Sequence, residues 1–173
     1  ERMAAYRFSG YWKDVGTIDS LWDANMDMLA VDSGVQLFDP SWPIYARTPT
    51  KPPHFMGSKA VVSHSMVTGG CEVYGEVENS VLFHSVRVEE GARVKYSILM
   101  PGSVVKAGAV VEYAIVAENA VIGEGARVGA PPEADKPEEW GIAVVAEGIK
   151  VGDGARVPAK SMVTRNVKSG GVR

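Results

Sequence analysis

The chain has 173 residues, 46% hydrophobic and 23% charged, a composition suited to one or two soluble domains. Its net charge of -3 and pI near 5.7 give no electrostatic case for nucleic acid or an anionic membrane as partner. No apolar run approaches the roughly 18 to 20 residues of a membrane span, and no signal peptide is evident, so a cytoplasmic location is expected.

Residues 1–16 alternate enough to suggest a strand, Ala5 to Phe8 or Tyr11 to Val15, broken at Ser9-Gly10. Thr17 is placed to cap a helix from Ile18 to about Leu29, with Ile18, Leu21, Trp22, Met28 and Leu29 on one face and Asn25 interrupting it. So small a unit, residues 1–30, must pack on something else. Residues 31–58 carry Pro40, Pro43, Pro49, Pro52 and Pro53 and read as a stiff linker, docked through Trp42, Ile44, Tyr45 and Phe55.

Residues 59–173 are organised by a count, with the first strand expected near Ala60. Aliphatic residues recur at Val77, Leu82, Val88, Val94, Leu99, Val105, Val111, Val116, Ile122 and Val128. The steps are five, six and six, then the same again, so one full period carries Val77 to Val94, Val94 to Val111 and Val111 to Val128. Two positions before each sits a small side chain, such as Ser80, Ala92, Ser97, Ser103 or Ala109, with Val86 the bulkier exception. A step near six matches neither a helix nor a flat strand. It matches a three-sided coil of short strands, the hexapeptide-repeat parallel β-helix, all-β and about six coils long. VEEGARV (88–94), VKAGAVV (105–111), IGEGARV (122–128) and VGDGARV (151–157) are copies of one hexad. Two irregularities stand out. The interval from Val67 to Leu82 falls two short of the period, and 129–141 either replaces two sides of a coil or leaves the prism as a loop. The lone Cys71 falls at a small-residue position and reads as buried. The two ends of such a stack are open edges that need caps or partners.

SGYWKDVGTIDSLWDANMDML (9–29), IYARTPTKPPHF (44–55), the stretch 57–105 and WGIAVVAEGIKVGDGARV (140–157) resemble the C-terminal part of the bacterial glucose-1-phosphate adenylyltransferase family. The resemblance implies a left-handed β-helix following a nucleotidyltransferase domain. It implies an enzyme that joins ATP and glucose 1-phosphate into ADP-glucose and pyrophosphate for glycogen synthesis, with Mg²⁺ as cofactor. Trp12-Lys13-Asp14-Val15-Gly16-Thr17 is similar to the segment supplying one metal-binding aspartate, so the resemblance makes Asp14 a candidate Mg²⁺ ligand. The competing reading of Asp14 is a turn or helix-capping carboxylate.

The family's glycine-rich nucleotide loop has no counterpart; the paired glycines Gly69-Gly70 and Gly170-Gly171 lie in the repeat and the tail. The chain alone is therefore expected to be inactive and to work with a missing N-terminal catalytic domain. The resemblance further implies a homo-oligomer, a tetramer in the intact enzyme, and allosteric control in which sugar phosphate effectors are possible. Arg47, Arg87, Arg93, Arg127 and Arg156 are the arginines an effector could meet, though each reads first as a solvated face position. His54, His64 and His84 raise a rival, an acyltransferase with a histidine base, but a solvent-facing turn is the simpler reading of His84. A non-catalytic regulatory paralogue is a further alternative, disfavoured by the intact Asp14-Val15-Gly16-Thr17. Trp12, Trp22 and Trp42 read as packing more than as sugar-stacking residues.

Overall fold

The protein is described here by a computed structural model covering residues 3–35, 37, 39–45, 49–133 and 140–172. Eighteen short strands coil into a prism with three parallel six-stranded faces. The first face stacks β1 (Phe55–Met56), β4 (Glu72–Val73), β7 (Arg87–Val88), β10 (Val104–Val105), β13 (Val121–Ile122) and β16 (Lys150–Val151). The second stacks β2 (Val61–Ser63), β5 (Glu76–Glu78), β8 (Arg93–Lys95), β11 (Val110–Glu112), β14 (Arg127–Val128) and β17 (Arg156–Val157). The third stacks β3 (Met66–Val67), β6 (Val81–Leu82), β9 (Ile98–Leu99), β12 (Ala114–Val116), β15 (Ala143–Val145) and β18 (Met162–Val163). Among the described residues there is one α-helix, α1 (Ile18–Asp27), and no helix long and apolar enough to cross a membrane.

Each strand sends one aliphatic side chain inward, and these form three columns. Val88, Val105 and Ile122 lie in the first, Val77, Val94 and Val111 in the second, Leu82, Leu99 and Val116 in the third, and all are fully buried. The small residues are the corners. At the corner between the second and third faces, Ser65, Ser80 and Ser97 form a ladder. The hydroxyls of Ser80 and Ser97 donate to the carbonyls of Glu78 and Lys95, and they accept the N–H groups of Ser97 and Ala114 at 3.1 and 3.2 Å. A side chain thus satisfies backbone donors that the turn takes out of the sheet.

Both irregularities of the repeat are corner events. Val62 pairs with Val77, Val67 with Leu82 and Val73 with Val88; each interval is two short of the period, and all three spans contain the turn Tyr74-Gly75. Two residues are missing there. A Cβ on Gly75 would lie 2.4 Å from the carbonyl oxygen of Ala92, so only glycine lets the shortened corner close on the next coil. At the other end of the stack, Val116 pairs with Val145, Ile122 with Val151 and Val128 with Val157, each interval twelve longer than the period. Twelve residues beyond the usual five-residue step therefore lie between Val128 and Val145, and no side of the prism is lost. The return of Val145 one period after Val128 is a coincidence of a five-residue step plus the insertion.

Three expectations need correction. Residues 3–16 form no strand; neither Ala5–Phe8 nor Tyr11–Val15 has a neighbouring strand to pair with among the described residues. The coil starts at Phe55, not near Ala60, because the Phe55 N–H already donates to the carbonyl of Cys71. Trp42, Ile44 and Tyr45 are 81%, 69% and 91% exposed and dock on nothing among the described residues. What does dock is the following stretch: the Pro52 carbonyl accepts the N–H of Gly70 at 2.7 Å, and Phe55 meets Tyr74. The two ends differ. Met56 and Val62 at the first coil are each 37% exposed, whereas bridges at Val167 and Val172 close the last.

The serines at the corners allow a test. Ser103 is fully buried and its hydroxyl has no partner among the described residues, so Ser103→Ala is expected to be neutral or to stabilise by up to about 1 kcal/mol. Ser97→Ala leaves the Ala114 N–H buried without its partner and is expected to cost about 1–3 kcal/mol. Urea unfolding midpoints of the two variants measure the difference.

Candidate functional site

The chemistry-bearing segment of the sequence, residues 11–17, runs into α1 and is held by it. Thr17 caps the helix in a reciprocal box: its hydroxyl accepts the Ser20 N–H, and the Ser20 hydroxyl accepts the Thr17 N–H at 3.1 Å. Lys13 reaches the Asp27 carboxylate at 2.8 Å, and the Tyr11 hydroxyl donates to the same oxygen at 3.0 Å. The hydrogen bond from Lys13 lowers the pKa of Asp27, and the same bond raises that of Lys13. Between these two fixings lies Asp14. It is exposed, and one of its oxygens accepts the Gly16 N–H at 2.9 Å. Asp14 thus fills the turn-capping role weighed for it through Oδ1, while the residue as a whole is exposed. Among the described residues no group of three His, Cys, Asp or Glu side chains comes together that could hold a metal.

The third face of the prism is what positions α1. Ile98, Ile115 and Ile142 form an outward apolar patch, with Leu21, Trp22 and Met26 of the helix packed against it. Trp22 is the anchor. Its indole N–H donates to the carbonyl of Tyr96 at 2.8 Å, and its ring lies 5.9 Å from that of Tyr113. Tyr96 and Tyr113 stack at 4.8 Å on consecutive coils, and Trp140 meets Tyr113 edge-on at 5.5 Å. Both tyrosines occupy left-handed backbone at the corner, φ 47° and 50°, and so project their rings off the prism toward the helix. Asn25 does not interrupt the packed face: it is buried, its amide bonded to the Leu21 carbonyl within the helix.

The remaining candidates disperse. Trp22 packs, but Trp12 and Trp42 are 76% and 81% exposed, so the three tryptophans form no cluster. His64 bonds Asn79, and His84 lies 3.4 Å from the Ser85 hydroxyl; among the described residues neither is hydrogen-bonded to a carboxylate. Arg87 and Arg93 form ion pairs with Glu72 and Glu76, whereas Arg127 and Arg156 are exposed; Arg47 lies outside the described residues. Cys71 is fully buried, burial pushes its thiol up, and Sγ donates to the Phe83 carbonyl, an unreactive setting.

Sequence reasoning missed one feature, a groove of about 590 Å³ where the linker crosses the corner between the third and first faces. Pro49, Thr50 and Lys51 form one wall; Thr68, Gly69, Phe83, His84 and Pro101 form the other. Its signal was the pair Gly69-Gly70. With φ +76° and the Lys51 side chain 3.2 Å from where a Cβ would stand, Gly70 is the seat on which the linker rests.

Comparison with known proteins covers both parts of the chain. A family model described as "GlmU-like, C-terminal hexapeptide" matches residues 51–152, and one described as "Nucleotidyl transferase" matches residues 1–31. Among curated proteins, a glucose-1-phosphate adenylyltransferase of Clostridium perfringens (strain SM101 / Type A) is 50% identical over 101 residues, 58% of this chain and 26% of that protein. One from Bacillus cytotoxicus is 49% identical over 102 residues, covering 59% of this chain and 27% of the relative. The chain therefore spans about a quarter of the length of the relatives it matches.

The Lys13–Asp27 pair sets a pH window for the Asp14 segment. The pKa of Asp27 is lowered on folding, so its contribution is complete above the ordinary carboxylate value and lost as pH falls through the lower folded one. That of Lys13 is raised, so its contribution is complete below the ordinary ammonium value and lost as pH rises through the higher folded one. Amide shifts of residues 11–16, followed by NMR, are expected to stay constant between these limits. In Asp27→Asn they are expected to take released positions at every pH.

Proposed function

The chain belongs to the GlmU-like C-terminal hexapeptide family, and from that premise we propose that it is the β-helix end of a glucose-1-phosphate adenylyltransferase. The observation that carries the reading is the pairing of two matches in one chain. Identity near 50% to enzymes of that name covers more than half of it, and a nucleotidyl transferase match covers residues 1–31. In this reading the whole enzyme converts ATP and glucose 1-phosphate to ADP-glucose and pyrophosphate, and residues 1–30 are the last piece of its catalytic domain. Met3, Tyr6, Phe8, Trp12, Trp42, Ile44 and Tyr45, all more than 60% exposed, are the surface which the preceding part of that domain covers.

Asp14 is the residue of this chain assigned to the chemistry. One exposed carboxylate, bonded through Oδ1 to the Gly16 N–H, suits a hard divalent cation as a single ligand, the other donors coming from the preceding domain and the nucleotide. A bound Mg²⁺ supplies charge neutralisation on the triphosphate. This chain's own contribution is to hold the carboxylate still: Gly16 fixes one oxygen, Thr17 starts a capped helix, and Lys13 and Trp22 tie that helix to the segment and to the prism. The prism is then the platform, serving self-association and allosteric coupling in a cytoplasmic homotetramer, with sugar phosphates as effectors. The intact Asp14-Val15-Gly16-Thr17 supports the catalytic enzyme over a regulatory paralogue.

The 173-residue chain is expected to release no pyrophosphate from ATP and glucose 1-phosphate, while the enzyme including the preceding domain does so. In that longer enzyme, Asp14→Asn is expected to lower the Mg²⁺-dependent rate by about 100-fold or more with the melting temperature unchanged. Turnover by the short chain, or full activity in the variant, would overturn the reading.

A further inference from the structure

The outward column of the third face is apolar on every rung. Parallel register stacks Met66, Val81, Ile98, Ile115, Val144 and Met162 one above another. The matching columns of the other two faces carry charge, with Glu72, Arg87 and Lys150 on the first and Glu76, Arg93 and Arg127 on the second. Helix α1 accounts for only part of the apolar column. Its ten residues give a length of about 15 Å, whereas six rungs about 4.8 Å apart span about 24 Å.

Ile98 and Ile115, beneath Leu21, Trp22 and Met26, are buried. The last two rungs are left uncovered: Val144 is half-buried and Met162 is 61% exposed. The helix starts here. Ile18, one turn before Leu21 and Trp22 on the same stripe, is itself 37% exposed. With Trp140, Ile142, Val144 and Met162 it lines a hollow of about 270 Å³, whose polar lining is Asp19, Lys160 and Ser161. An apolar floor accompanied by a few polar groups has the make-up of a contact surface.

We propose that this shelf, Val144 and Met162 with Ile18 beside them, is the seat on the prism for the part of the enzyme that precedes residue 1. The inference rests on reading the chain as the end of a longer enzyme, the stretch matched being 26% of one such relative. Two arguments select the occupant. The shelf continues the patch that already holds α1, since Ile142 belongs to both. The chain also enters α1 at this place, so whatever residues 3–17 carry is tethered within reach and outcompetes a free partner through its high effective concentration. A segment presenting apolar side chains there takes the open end of the column out of water. The last two coils of the prism then share one joint with the segment that carries Asp14.

The test compares the 173-residue chain with the longer enzyme by methionine oxidation in dilute hydrogen peroxide, read by peptide mass spectrometry against an added methionine peptide as standard. Met162 is expected to oxidise about tenfold or more slowly in the longer enzyme. Met162→Asp is expected to leave the melting temperature of the 173-residue chain unchanged and to lower that of the longer enzyme, where the carboxylate is buried. Equal reactivity of Met162 in the two proteins would overturn the shelf. Protection that disappears on dilution would assign it to a second copy and overturn the proposal too. Pyrophosphate release is scored separately, so the two readings fail apart. An active longer enzyme with reactive Met162 loses the shelf alone, whereas an inactive one with protected Met162 keeps the shelf and loses the enzyme.

Discussion

A strand of two or three residues has no stability of its own, and here every strand depends on backbone donors and acceptors supplied by the coil before and the coil after. This obligation, more than any side chain, dictates the molecule. It forces parallel in-register stacking, which in turn forces one aliphatic residue per side per coil into three columns and small residues into the corners. The inside has no room for length variation, so variation is expelled to the turns. The two-residue deletion at Tyr74-Gly75 and the insertion at 129–141 both sit at corners, with pairing intact on either side.

The same stacking builds the platform for the rest of the chain. Because coils repeat in register, residues one coil apart lie over one another, and Ile98 with Ile115 gives a flat apolar patch while Tyr96 with Tyr113 gives stacked rings at its margin. A ten-residue helix with little intrinsic stability becomes ordered by laying Leu21, Trp22 and Met26 on that patch. The helix then fixes residues 11–17 through Thr17 and Asp27. Order is thus passed outward from the prism to Asp14 in three steps, each a few named contacts.

What was legible in the sequence follows from this hierarchy. The repeat period could be read directly because the columns are strictly aliphatic, and Thr17 announced its helix as a capping residue at the right place. The misreadings share a cause. Alternation at Ala5–Phe8 reflects a strand's side-chain preference, but a strand exists only beside another, and no neighbour for it is present among the described residues. Trp42, Ile44 and Tyr45 suggested docking because large apolar residues usually bury themselves; composition does not say against what. The groove beside Lys51 left only Gly69-Gly70 as its trace, for a different reason. Its walls depend on which residues lie one coil apart, and that interval shrinks at Tyr74-Gly75, so register had to be fixed coil by coil.

The insertion at 129–141 has a consequence for how such a chain tolerates change. Val128 and Val145 keep their places in adjacent columns although twelve residues have been added between them, and the Trp140 indole, bonded to the Ala130 carbonyl at 2.8 Å, staples the two ends together where they leave the corner. A corner closed at its base in this way decouples the length of what it carries from the lattice beneath it. The prism therefore works as a pegboard: an appendage can be lengthened, exchanged or grafted at that peg, and the thread of the screw below does not advance.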